Sequence, residues 1–180
     1  MKWTEARQVT AVLGWPESAG DPDAEASPEA FFDALCAAGR HDDAVEFLAQ
    51  ALPRWEAVAW AARSVRDLDP PGQAADAAAL KAALLWVQDP TEARRRAAES
   101  AAEASAPDSP ARLAALAAFF SGGSVAPDDA EPLPAPRDAA GKLAAGAILV
   151  ASARSPDMDA ALQACLSAGA EIASGNRGEE

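Results

Sequence analysis

Arg54-Trp55-Glu56-Ala57-Val58-Ala59-Trp60-Ala61-Ala62-Arg63-Ser64-Val65-Arg66-Asp67-Leu68 is the stretch that decides how the chain is read. Trp55, Val58, Ala62 and Val65 recur with the 3.6-residue period of a helix and line one apolar face. Trp60 falls on the other side, one turn after Glu56 and one turn before Arg63. A helix with a tryptophan on each side is expected to be contacted all round and so to lie at the centre of the fold. Glu56 and Arg63 then sit near or inside the protein, where an unpaired charge is costly. The plainer reading of these charges is an ion-paired brace between neighbouring helices. The functional reading is a pocket in which Trp60 stacks a ligand and Arg63 or Arg54 holds its anion.

The surroundings of this helix are helical too. Alanine supplies 51 of 180 residues, with no Tyr and five Phe. Alanine loses no side-chain entropy on entering a helix, whereas strands draw on the aromatic and β-branched residues that are scarce here. The expectation is an all-α fold, a compact single domain of eight or nine helices packed as helical hairpins. Ser27-Pro28, Asp89-Pro90, Ser109-Pro110 and Ser155-Pro156 each place a capping side chain before a proline, the pairing that opens helices. Read between these signals, the helices span Trp3–Leu13, Pro28–Ala38, Asp42–Leu52, Arg54–Leu68, Gln73–Val87, Pro90–Ala104, Pro110–Phe120, Asp138–Ala153 and Pro156–Ala173. Gly39, Gly122 and Gly169 stand where left-handed C-terminal caps are wanted. The domain is expected over residues 1–174, with an acidic loop at 17–26, a Gly/Pro-rich strap at 121–137 and a frayed tail at 175–180. In the strap, Val125 and Leu133 give the segment something to bury, which predicts order, and Leu133 offers a docking edge as the alternative.

Local stretches look like helical-repeat units. Gly39–Leu52 resembles the second helix of a tetratricopeptide repeat, and Leu84–Ala98 a HEAT-type junction. Neither recurs at a fixed period, so hairpin packing is expected without a true array. A longer resemblance rests on Leu52-Pro53-Arg54-Trp55-Glu56-Ala57-Val58-Ala59-Trp60-Ala61, on Trp86 with Asp89-Pro90-Thr91-Glu92, and on Phe119-Phe120-Ser121-Gly122-Gly123-Ser124-Val125-Ala126-Pro127. Over residues 52 to 136 the chain is similar to a bacterial family of alanine-rich helical proteins of unknown function. The resemblance implies no activity, but it implies that the tryptophan helix and the Ser-Gly-Gly-Ser loop form one unit.

The remaining features narrow the function. The net charge of −13 repels phosphate backbones and anionic membranes, so no nucleic-acid partner is expected. The apolar stretch Ala139–Ala153 carries Lys142 and is too short to cross a bilayer, so no membrane insertion is expected. Met1–Pro16 lacks the apolar core of a signal peptide, and Cys36 and Cys165 stand apart as thiols, which together point to the cytoplasm. Arg94-Arg95-Arg96 shares its helix with Glu92, Glu99 and Glu103, and reads as a solvated face neutralised at four-residue spacing. His41 is the one histidine, so neither a histidine metal site nor a serine triad is expected. Ser121-Gly122-Gly123-Ser124 follows a helix and reads as a cap and turn, where phosphate loops lead into one. The expected function is therefore a non-catalytic protein-interaction or adaptor domain with no cofactor, a protein partner and room for a homo-oligomer. The rival is a small-molecule or enzymatic domain with a pocket around Trp60, Glu56 and Arg63. Arg54, Glu56, Trp60, Arg63 and Leu133 are the candidate binding residues.

Overall fold

The computed structural model describes residues 3–16, 22–127 and 129–175. Nine helices, α1 Ala6–Leu13, α2 Pro28–Ala37, α3 His41–Ala51, α4 Arg54–Leu68, α5 Ala74–Gln88, α6 Glu92–Ala104, α7 Pro110–Phe119, α8 Ala139–Ala153 and α9 Met158–Ala173, take up 68% of the described residues. The fold is all-α. Apart from one isolated bridge between Ser124 and Pro134, the described residues form no strand pairing.

α4 is the hub, packed against α3, α5, α7, α8 and α9. Its tryptophans explain why. On one side the Trp55 indole donates to the Val87 carbonyl at the end of α5, 2.9 Å away. On the other, the Trp60 indole donates to the Cys165 carbonyl of α9, also at 2.9 Å. Trp60 and Trp86 are buried in the same core, and Trp55 packs on its edge. The close packing of α7 and α8 follows from size: α7 buries Ala111, Ala114, Ala115, Ala117 and Ala118, α8 buries Ala140, Ala144, Ala145 and Ala147, and a Cβ on Gly146 would lie 3.5 Å from Leu113 of α7. Side chains this small let two backbones approach and gain dispersion contacts along their whole length. No helix among the described residues is long and apolar enough to cross a membrane.

Several local expectations are corrected. Ser27 caps α2 by accepting from Ala30 N, but Ser109 stands at the N-terminus of α7 without a side-chain cap bond, and Asp89 and Ser155 cap nothing. Thr91 and Asp157 do so, each two residues later, because Pro90 and Pro156 stay outside their helices. Of the glycines expected at caps, Gly39 has the left-handed φ of 71°. In the loop after α7 that conformation belongs to Gly123, not Gly122. Gly169 lies inside α9 and is buried, so it is a packing residue. Within the acidic loop, Ala24 and Ala26 carbonyls accept from Arg7 and Ala6, closing the start of α1, while residues 17–21 lie outside the described ones, as do 176–180 of the tail.

The strap is built differently from expectation. Leu133 is 58% exposed, so it does not anchor the segment by burial. The strap instead closes on itself: Val125 N donates to the Leu133 carbonyl at 2.8 Å, and Leu133 N donates to Ser124 Oγ at 3.0 Å. A proline-rich run carries many carbonyls and few N–H groups, so its donors must come from elsewhere. Arg95 and Arg96 supply them, to the carbonyls of Ser124 and Ala126 at 2.7 and 2.6 Å. A strap held this way should resist limited proteolysis, and rapid cleavage between Ala126 and Arg137 in the native protein would refute it.

Candidate functional site

A concavity lies between α4 and α9, two helices that meet closely at Gly169. A side chain at Gly169 would start 2.6 Å from Leu48 and 2.8 Å from the Trp60 ring, so only glycine lets α9 settle directly on that ring. On one side of this close contact the two helices part and leave a cleft of about 450 Å³. Trp55, Ala59 and Leu68 of α4 and Ala168 and Ile172 of α9 give it an apolar lining. The stretch of α4 that lines it, Trp55 to Leu68, runs about 20 Å at 1.5 Å per residue.

Glu56 and Arg63 both border this cleft together with Trp60, as their helical spacing requires. Trp60 itself is 1% exposed, and its N–H is taken by Cys165, so it forms the wall and cannot stack a ligand. The expected brace is absent as well. Arg63 is exposed and Glu56 half-buried, and among the described residues neither makes an ion pair or hydrogen bond. Arg66 and Asp67 pair with each other beside them at 2.7 Å.

Arg54 points away from the cleft. Its Nη1 donates to the Ser121 carbonyl at 3.0 Å, which ties the tryptophan helix to the Ser-Gly-Gly-Ser loop as one unit. Leu133 stands on the surface, in neither cavity.

The chemistry of the cleft is quiet. Burial pushes the Cys165 thiol above its usual value, against a weaker opposite pull from the Ser64 and Ser152 hydroxyls. A thiol held protonated is a poor nucleophile. Cys36 is raised too, by burial and then by Asp33. His41 opens α3 beside Asp42, Asp43 and Asp159 on a shallow polar surface. Among the described residues no group of three or more His, Cys, Asp or Glu is placed to hold a metal ion.

Sequence reasoning missed Arg95. It is not on a solvated face: it is 3% exposed, and its guanidinium serves Glu92 at 2.6 and 2.7 Å, the Phe119 carbonyl at 2.6 Å and the Ser124 carbonyl at 2.7 Å. It also stacks over the Phe119 ring, 4.7 Å from the centroid. Gly123, with φ of 66°, leaves it room, since a Cβ there would sit 3.0 Å from Arg95 Nε. The legible signal was the strap itself, whose carbonyls outnumber its donors.

A family of unknown function, DUF6931, matches residues 31–173 of the chain. No curated protein and no solved structure matches it.

Proposed function

The chain belongs to DUF6931, a family of unknown function, and we propose that it is a non-catalytic interaction domain whose α4/α9 cleft takes one face of an amphipathic helix from a protein partner. The observation that carries this reading is the unpaired charge at the apolar cleft. Among the described residues Arg63 and Glu56 make no ion pair or hydrogen bond, whereas every other described arginine except Arg137 is engaged. Apolar side chains along about 20 Å, flanked by the free cation of Arg63 and the free carboxylates of Glu56 and Glu171, match a helix that lays apolar residues inward and pairs charges at its flanks. The raised Cys165 pKa supports binding over nucleophilic catalysis. The charge of −13 favours a protein over a nucleic acid as partner, and two free thiols fit the cytoplasm.

Two surface substitutions test this. Arg63→Glu reverses the free charge, and Ala168→Trp fills the cleft from an exposed position of α9. Both should leave the unfolding midpoint within about 0.5 kcal/mol of the wild type, as exposed changes usually do. A protein recovered from the native host with the wild type should be lost with both variants, and a helical peptide from it should compete. Equal recovery by the variants would refute the reading.

A second reading, a small-molecule or enzymatic site in the same cleft, is favoured by volume, since ligand pockets occupy roughly 300–1,000 Å³. Native mass spectrometry of protein isolated from its host separates the two. A retained small molecule supports this second reading, and a bound polypeptide supports the first.

A further inference from the structure

Arg137, the other described arginine without a partner, opens onto a smaller cavity, about 90 Å³, where the N-terminal segment meets the end of α3 and the starts of α4 and α8. Trp3, Val12, Gln50, Leu52, Arg54 and Arg137 line it. In a chain of net charge −13, the described residues of this cavity's wall include two arginines and no carboxylate. Arg54 spends one N–H on Ser121, and its other donors make no bond.

Two further polar groups there are left unsatisfied. The Trp3 indole N–H is buried without an acceptor. Gln50 is 8% exposed, and neither end of its amide finds a partner. The buried Oε1 lies against Gly141, where a Cβ would come within 2.3 Å. Buried polar groups are almost always paired in folded proteins, so two unpaired ones among the residues that line one cavity are a specific feature.

We propose that this cavity binds a small carboxylate. Guanidinium forks match the planar carboxylate with paired, charge-assisted hydrogen bonds, and the Trp3 indole N–H adds a donor. Val12 and Leu52 supply an apolar end that suits a short alkyl stem. A phosphate would have to press an oxygen against that end and lose its hydration without compensation. The volume admits only a few heavy atoms, so the ligand is either a free short-chain acid or the C-terminal residue of a peptide.

The test follows the tryptophan indole N–H signals of the full chain by nuclear magnetic resonance. Trp3 is assigned as the signal lost in Trp3→Phe. Sodium propionate should shift this signal saturably, while sodium chloride and sodium phosphate at matched ionic strength should not. Arg137→Gln, a change at an exposed residue, should weaken propionate binding by about tenfold or more, the scale of one charge-assisted hydrogen bond, with an unchanged unfolding midpoint. Trialanine with a free or an amidated C-terminus separates the two carboxylate sources: tighter binding of the free-ended peptide than of propionate assigns the site to a chain terminus, and the reverse to a free acid. An equal response to chloride or phosphate, or full binding by Arg137→Gln, would overturn the proposal.

Discussion

Replacing Arg95 with alanine should destabilise the fold by about 3–5 kcal/mol, the usual cost of removing one partner from a buried charged network. The side chain is 4% exposed, so its loss strands groups that water cannot easily reach. The Phe119 and Ser124 carbonyls lose their donor, the Phe119 ring loses the nearer of two cations, and the strap loses one of the arginines that hold it. Arg95→Lys should recover only part of the loss, because an ammonium cannot serve a carboxylate and two carbonyls in the planar fork that guanidinium provides. Urea unfolding gives the magnitude. An acid signature accompanies it. Hydrogen bonding to Arg95 holds the Glu92 carboxyl below its usual value, with Arg96 assisting. A carboxyl whose folded pKa is depressed stabilises the protein above its unfolded pKa, and that contribution disappears as pH falls through the folded value. Because the Glu92 side chain is 60% exposed, solvent screening keeps this part small. The acid-side slope should be shallower in Arg95→Ala than in the wild type.

Trp60→Ala should cost a similar amount, about 3–5 kcal/mol, since a fully buried indole leaves a large cavity. Trp60 is the largest of the fully buried side chains, and α9 rests on it through Gly169. The cavity would open between α4 and α9 and remove the wall of the proposed binding cleft. Trp60→Phe should be milder, keeping most of the volume and losing the bond to Cys165. The midpoint of urea unfolding should fall without a change in slope. An unchanged midpoint for Trp60→Ala would contradict the burial on which the hub role of α4 rests.

These two residues mark what could and could not be read from the chain. Trp60 was legible because helical periodicity places two tryptophans on opposite sides of one segment, and the bounds Arg54–Leu68 agree with α4 as observed. The helices were legible for the same local reason, alanine content and caps. The errors at Asp89 and Ser155 are local competitions, in which Thr91 and Asp157 offered the N-terminal N–H groups a better-placed oxygen. Arg95 was not legible from its helix. Spacing puts it near acids on the same helix, but which face meets the strap is settled by tertiary packing that brings Phe119 and Ser124 to it. Gly169 was misread because a glycine near a helix end serves as a cap or as a close contact, and only the position of Trp60 distinguishes them. At the candidate site, the grouping of Trp60, Glu56 and Arg63 followed from helical spacing. The separation of Arg54 from them did not, because it depends on where the loop after α7 returns.

Photo-crosslinking from position 63 tests the proposed function most directly. A photoreactive residue replacing Arg63 sits exposed at the edge of the α4/α9 cleft, and one replacing Leu133 sits on the strap as the comparison site. In the native host, position 63 should capture a single partner through a segment with amphipathic helical periodicity, and Ala168→Trp should abolish that adduct. Capture from position 133 with none from position 63 would place the interaction on the strap and contradict the account.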